Sequence, residues 1–110
     1  MNNACDEFQG ATLTLARSGP IKDRLVEAYR NHLANVCEEE LPREMREEFR
    51  AVSSSFTRER PMLRGEDAAR ATIRKMSTDE ADRLASSVVR IFSEIARSAP
   101  ARSRTALSRV

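Results

Sequence analysis

The sequence predicts an all-α fold, a small antiparallel bundle of four helices with or without a short fifth helix at the N-terminus. Good helix formers, chiefly Ala, Arg, Glu and Leu, dominate the composition, while β-branched residues are scattered rather than alternating. The connections between the apolar-periodic segments are short, which favours antiparallel neighbours. At 110 residues the chain has the length of one domain, near the lower end of what can bury a useful core.

The predicted helical domain spans residues 11–98. The residues before it, 1–10, are polar and are expected to be flexible. The short first helix is expected within ATLTLARSGP and ends at Ser18-Gly19. Beyond the domain, residues 99–110 lose the apolar periodicity and consist largely of Ser, Arg and Ala, so we expect a disordered basic tail.

Two helices are predicted in the next part of the chain. The first runs from Pro20 to about Cys37, because proline suits the first helical position, where its missing N–H costs nothing. The second runs over 42–58 and has a narrow apolar stripe, which is typical of a surface helix. The first stripe is Ile21, Leu25, Ala28, His32 and Val36, and the second is Met45, Phe49, Val52 and Phe56.

The strongest helix signal lies at residues 77–98, after a loop containing Pro61 and Gly65 and a short helix over 66–75. Ser77 followed by Glu80 matches the capping box that starts a helix. The apolar residues cover roughly 160° of the helix circumference, against the roughly 100° that a surface helix needs. We expect this helix to be central, paired with the helix at 20–37 or shared with a second copy. Its two stripes are Leu84, Val88, Ile91 and Ile95, and Ala81, Ala85, Val89, Phe92 and Ala96.

No residue pattern indicates catalysis, and no cofactor or metal site is predicted. The single histidine, His32, is five residues from Cys37, so the two side chains would diverge by about 140° on a helix. We interpret His32 as a half-buried side chain that hydrogen-bonds across the core. The acidic residues are adjacent rather than convergent, and the three glycines are isolated, so a phosphate-binding loop is not indicated.

The charge distribution is asymmetric. Residues 1–56 carry seven basic and ten acidic side chains, a balance of −3, whereas residues 57–110 carry twelve and seven, a balance of +5. A helix-turn-helix at 66–90 is disfavoured, since Asp79, Glu80 and Asp82 would meet the DNA phosphates. A basic arm is the alternative, and its candidate nucleic-acid contacts are Arg97, Arg102, Arg104 and Arg109.

The leading functional hypothesis is a non-enzymatic protein–protein interaction module, either a homodimer or an accessory subunit. Two helices have apolar faces wider than a monomeric bundle of this size needs, and exposed contiguous apolar surface usually marks a partner site. The alternative is that the short helices at 11–17 and 66–75 cover these faces and the chain is monomeric. Nucleic-acid association through the Arg-rich half is the second hypothesis, and ligand sensing around His32 and Tyr29 is the third. The candidate interface residues are Val89, Phe92, Ala96, Val26 and Leu33.

The compartment is predicted to be the cytoplasm. The first residues lack the apolar region of a signal peptide, and the apolar runs are too short to span a membrane, so no membrane partner is expected. The two cysteines are too few for a disulfide framework, which favours reduced thiols. Seventeen of the nineteen basic residues are Arg, which indicates a GC-rich bacterial genome as readily as it indicates a binding surface.

Overall fold

The computed structural model describes residues 4–98, which form five α-helices and contain no strand within that range. Two 3-10 turns connect the second helix to the third. The all-α prediction is therefore confirmed, and the short N-terminal helix is present. The helices are α1 (Ala4–Leu15), α2 (Ile21–Asn31), α3 (Arg43–Phe56), α4 (Ala68–Arg74) and α5 (Thr78–Ser98), and the turns are Leu33–Asn35 and Glu38–Glu40.

Helix α1 begins at Ala4, so the prediction that residues 1–10 are flexible is wrong for the residues from Ala4 onward. Ala4, Phe8 and Ala11 are fully buried on one stripe of the helix. The ring of Phe8 meets that of Phe49 on α3 edge to face, with 6.0 Å between the ring centroids. Phe8 is the one large apolar side chain in the first half of α1, so the apolar periodicity of this segment is weak.

The core is built around three helices rather than the predicted pair. Helices α1, α2 and α5 each contact the other two, and α1 lies against both of the helices that were predicted to form the core. Helix α3 packs on α5, α4 packs on α2, and these two outer helices also contact each other. The largest fully buried side chains include Phe8, Phe56, Leu25, Ile73, Ile91, Ile95 and Val88.

Helix α2 ends at Asn31, so the predicted continuation to Cys37 is wrong. His32 has φ −131° and ψ −62°, outside the helical region, and a 3-10 turn begins at Leu33. In a continuous helix Leu33 would lie about 80° around the axis from Leu25, away from the centre of the apolar stripe. The turn instead buries Leu33 and contacts α1. Leu33 is thus buried by a turn rather than by a continuation of α2.

Helix α5 begins as predicted. The Glu80 N–H donates to Ser77 Oγ at 3.0 Å, and the Ser77 N–H donates to Glu80 Oε1 at 2.9 Å, which is the reciprocal capping box. The first apolar stripe of α5 is buried in the core. The second stripe is covered only in part: Phe92 is half-buried, while Val89 and Ala96 are exposed.

Candidate interaction surface

An open, mostly apolar groove lies between the C-terminal end of α1, the start of α2 and the middle of α5. It encloses about 630 Å³. Val89 lies in this groove and is 37% exposed, one of the few large apolar side chains with such exposure in the described part of the chain. The groove is lined by Leu15, Ala16, Ile21, Ala85 and Val89, and by the polar residues Thr12, Arg24, Asp82, Ser86 and Arg90.

The α1–α2 wall of the groove is fixed by Arg24. Its Nε donates to the Gly19 carbonyl at 2.9 Å, and its Nη1 donates to the Leu15 carbonyl. These carbonyls belong to the end of α1 and the following turn, where helical partners run out. A cation at this position also interacts favourably with the negative end of the helix dipole. Gly19 has φ +110°, a left-handed conformation that lets the chain reverse direction here.

The predicted interface residues separate into two groups. Val89 lies in the groove, Ala96 is exposed further along α5, and Phe92 packs partly against the core. Val26 and Leu33, in contrast, are buried within the chain and present no interface. Helix α4 packs on α2, and α1 packs against the turn that carries Leu33, so the chain covers this side itself. Those of the predicted interface residues that remain at least partly exposed therefore all lie on α5.

The predicted nucleic-acid contacts fall mostly beyond the structure. Arg97 is exposed in the last turn of α5. Arg102, Arg104 and Arg109 lie outside the described residues, as does the predicted disordered tail. Of the four candidate nucleic-acid contacts, Arg97 alone is among the described residues.

His32, the residue that follows α2, packs against α1. Its Nδ1 is 3.0 Å from Glu7 Oε1, and both side chains are half-buried, which confirms the predicted hydrogen bond across the core. A Cβ added at Gly10 would lie only 2.4 Å from His32 Cε1, so glycine makes room for the imidazole. Within residues 4–98, no group of three or more His, Cys, Asp or Glu side chains could hold a metal ion. The His32 ring thus contacts Glu7 and lies against Gly10.

Tyr29, the other residue of the ligand-sensing hypothesis, is engaged by an aromatic neighbour. Its ring stacks on that of Phe56, with 4.9 Å between the centroids and 21° between the planes. Stacked rings at this distance are a favourable packing arrangement. Tyr29 and His32 therefore both contact side chains of the same chain.

A second exposed apolar feature, absent from the sequence interpretation, is the pair Met62 and Leu63 in the loop before α4. Their side chains are 72% and 56% exposed. The backbone N–H groups of both residues donate to Glu66 Oε1, at 3.1 and 3.2 Å. Arg74 Nε donates to Glu66 Oε2 at 2.6 Å, and the Glu66 side chain is only 4% exposed.

The Glu66 carboxylate holds this loop in one conformation. The hydrogen bond from Arg74, with the two backbone N–H groups, lowers the pKa of Glu66 to about 2, so the group is charged at physiological pH. The sequence does place an acid just after the loop. However, no residue pattern in this part of the sequence indicates that the Glu66 carboxylate accepts hydrogen bonds from the backbone N–H groups of the loop.

The chain was compared with protein-family models, with curated proteins and with solved structures, and no match was found. In the described residues, no helix combines the length and the apolar character that crossing a membrane requires. The proposal below therefore depends on the exposed surfaces of the described residues.

Proposed function

We propose that the protein is a non-enzymatic protein–protein interaction module that forms a homodimer through the α5 surface around Val89. The observation that carries the proposal is the apolar groove beside α5, in which Val89 remains exposed after α1 and α2 have packed. A small chain with a modest core gains stability from additional buried area, because association shifts the folding equilibrium by mass action. Dimerisation would cover this groove.

A second copy is the favoured partner for two reasons. Closed two-fold dimers are the commonest assemblies of soluble proteins, and they repeat one surface patch on both subunits. The exposed face of α5 also carries acids near its start and arginines further on, so the face is complementary to itself when reversed. An accessory subunit that docks on a different protein would use the same groove.

The oligomeric state is measured by light scattering on a size-exclusion column at micromolar concentration. We expect a mass of two chains for the wild type. Val89→Arg is expected to give a folded monomer, because an unpaired guanidinium would be buried in the interface. Leu63→Arg is the matched control, since Leu63 is a more exposed apolar side chain outside the groove. A wild-type mass of one chain would contradict the proposal.

Phe92 is a poorer probe than Val89, although the same side stripe of α5 contains both. Phe92 packs partly against the core, so Phe92→Glu is expected to lower the free energy of unfolding as well as any association. Val89 has no such role, since it lies in the open groove. A folded monomer is therefore expected from Val89→Arg rather than from a charged substitution at Phe92.

Nucleic-acid association is the second candidate, supported by the balance of +5 over residues 57–110 and by the exposed position of Arg97. Binding of this kind is electrostatic and falls steeply with salt. Retention on heparin across a salt gradient, for the full chain and for a chain that ends at residue 98, tests it. Early elution of both proteins would contradict a role for the basic tail.

The proposed compartment is the cytoplasm. Cys5 and Cys37 are both free thiols in the described chain, as a reducing compartment would keep them. Imaging of a tagged protein in the native host checks the compartment, and a signal confined to the cell envelope would contradict it.

A further inference from the structure

We infer that the dimer forms by antiparallel packing of α5 on α5 of a second copy, with the two-fold axis near Ser86 and Asp82 of each protomer paired with the partner's Arg90. This inference rests on the proposed homodimer and specifies its contacts. It is carried by the charges, the spacing and the shape of the exposed face of α5.

The charges along α5 decide the direction of packing. Three acids, Asp79, Glu80 and Asp82, are exposed near the N-terminus of the helix beside one arginine, Arg83. Two arginines, Arg90 and Arg97, are exposed in its C-terminal half. Parallel packing would set acids against acids and arginines against arginines. Antiparallel packing sets each acidic end against a basic end, and it also opposes the two helix dipoles. The antiparallel arrangement is therefore favoured.

The spacing of the charges decides the register. Asp82 and Arg90 each lie four residues from Ser86, along one ridge of the helix. A two-fold axis through Ser86 places the residue n positions before it against the partner residue n positions after it. Asp82 therefore faces the partner's Arg90, and the same ion pair forms a second time by symmetry. No other exposed acid and arginine on this ridge are symmetric about one residue.

The shape of the surface permits close approach at this point. Ser86 lies between two depressions, the groove already described and a shallower one of about 270 Å³ that is lined in part by Arg83 and Ser87. Arg83 lies three residues before Ser86 and Val89 lies three residues after it. The same axis therefore places Val89 opposite the partner's Arg83. The aliphatic part of an arginine can cover an apolar side chain while its guanidinium stays in water.

The contacts that Arg90 makes within its own chain leave it free to pair. Its Nε is 3.7 Å from Glu48 Oε2, its Nη2 donates to Ser87 Oγ at 3.3 Å, and its side chain is 58% exposed. A guanidinium has five N–H donors, so an additional carboxylate can be bound. Asp82 makes no ion pair with any residue of the described range 4–98.

Charge reversal tests the register. Asp82→Arg would place two arginines at each pairing position, and Arg90→Asp would place two acids there. We expect each variant alone to dimerise about tenfold or more weakly than the wild type, since both symmetric pairs become repulsive. An equimolar mixture of the two variants restores an acid opposite an arginine at both positions. The mixture, and the double variant Asp82→Arg/Arg90→Asp, should regain a mass of two chains in sedimentation equilibrium.

The controls separate this inference from the proposed homodimer. Glu48→Gln removes the internal partner of Arg90 and should leave the dimer unchanged, and circular dichroism checks that each variant is folded. If the wild type is a dimer and both single reversals dimerise equally well, the register is overturned while the homodimer stands. Failure of the mixture to recover also overturns the register. A monomeric wild type overturns both.

Cross-linking gives an independent readout. In a background in which Cys5 and Cys37 are replaced by serine, Ser86→Cys should form a disulfide with its own copy under mild oxidation, because the axis brings the two positions together. Asp79→Cys, on the same exposed face, should not cross-link, since position 79 faces position 93 of the partner. Cross-linking at position 79 but not at position 86 would contradict the register.

Discussion

Helices α1 and α5 pack against each other in the core, yet different interactions define them. Helix α5 begins at a reciprocal cap between Ser77 and Glu80 and continues for 21 residues with a stripe of large apolar side chains. Helix α1 has 12 residues, packs with small side chains around Phe8, and contacts both α2 and α5. Interactions within its own segment thus define α5, whereas contacts with distant segments define α1.

This difference predicts how substitutions act in the two helices. Substitutions in α5 should lower the free energy of unfolding strongly at the buried apolar stripe and weakly at the N-terminal cap. Substitutions in α1 should lower it strongly wherever a neighbouring helix or turn packs against α1, even at a glycine.

The largest effect is expected from Val88→Asp or Ile91→Asp on α5. Both side chains are fully buried, so either variant would place an unpaired carboxylate in the core and should unfold the protein. Circular dichroism and thermal melting measure this. Val89→Asp is the matched control, because the adjacent Val89 is exposed and the variant should remain folded. A melting temperature near that of the wild type for Val88→Asp would overturn the central position of α5.

Phe8→Ala is expected to have the next largest effect. Deleting a fully buried Phe leaves a cavity beside Phe49, and such changes cost about 3–5 kcal/mol. Leu13→Ala is the control on the same helix, since Leu13 is 62% exposed and should change the free energy of unfolding by less than about 0.5 kcal/mol. Equal, small effects in urea unfolding would mean that α1 does not contribute to the core.

Gly10→Ala should destabilise the protein, although it replaces a helical glycine. In an exposed helix this change is favourable by about 0.5–1 kcal/mol. Here the new Cβ would lie 2.4 Å from the His32 ring, which must move away from Glu7, and overpacking of this kind costs about 1–3 kcal/mol.

The His32→Ala background provides the control for this position. With the ring removed, Gly10→Ala should become stabilising, so the effect of Gly10→Ala on the free energy of unfolding in urea should change sign between the wild type and the His32→Ala background. If Gly10→Ala stabilises the wild-type protein as well, the close approach of α1 to His32 is not maintained in solution.

Ser77→Ala should cost about 1 kcal/mol, because it removes the acceptor for the Glu80 N–H at the start of α5. Thr78→Ala is the comparison, since Thr78 is exposed in the same turn and is not the cap residue. Chemical unfolding measures both. No change for Ser77→Ala would show that packing, rather than the cap, determines where α5 begins.

The smallest expected effect is the pH dependence of the cap. The hydrogen bond from the Ser77 N–H lowers the pKa of Glu80 below its ordinary range. The ionised Glu80 side chain therefore stabilises the folded state relative to the unfolded state. This contribution is present above the ordinary glutamate pKa and is lost as the pH falls through the lowered value. The difference in the free energy of unfolding between wild type and Glu80→Gln should therefore shrink as the pH falls; a constant difference would exclude this charge effect.

The sequence by itself determined the features whose causes lie within a few residues. The all-α class, the start of α5 at the Ser77–Glu80 cap, the apolar stripe of that helix and the loop at Pro61 and Gly65 all depend on local spacing or turn chemistry. Even the half-buried state of His32 followed from its place in a local stripe, although its partner Glu7 did not.

The tertiary structure alone decided the position of α1, the end of α2 and the extent of the candidate interface. Phe8 meets Phe49, and the His32 ring lies over Gly10, so these contacts join residues far apart in the chain, and no spacing within one segment indicates them. Leu33 is buried because the turn after α2 packs on α1, and Val26 is buried on α2, against which α4 packs, whereas Val89 remains exposed. The physical reason is that apolar burial is not directional. An apolar stripe must pack against another segment, and the three-dimensional arrangement of the helices determines which segment that is.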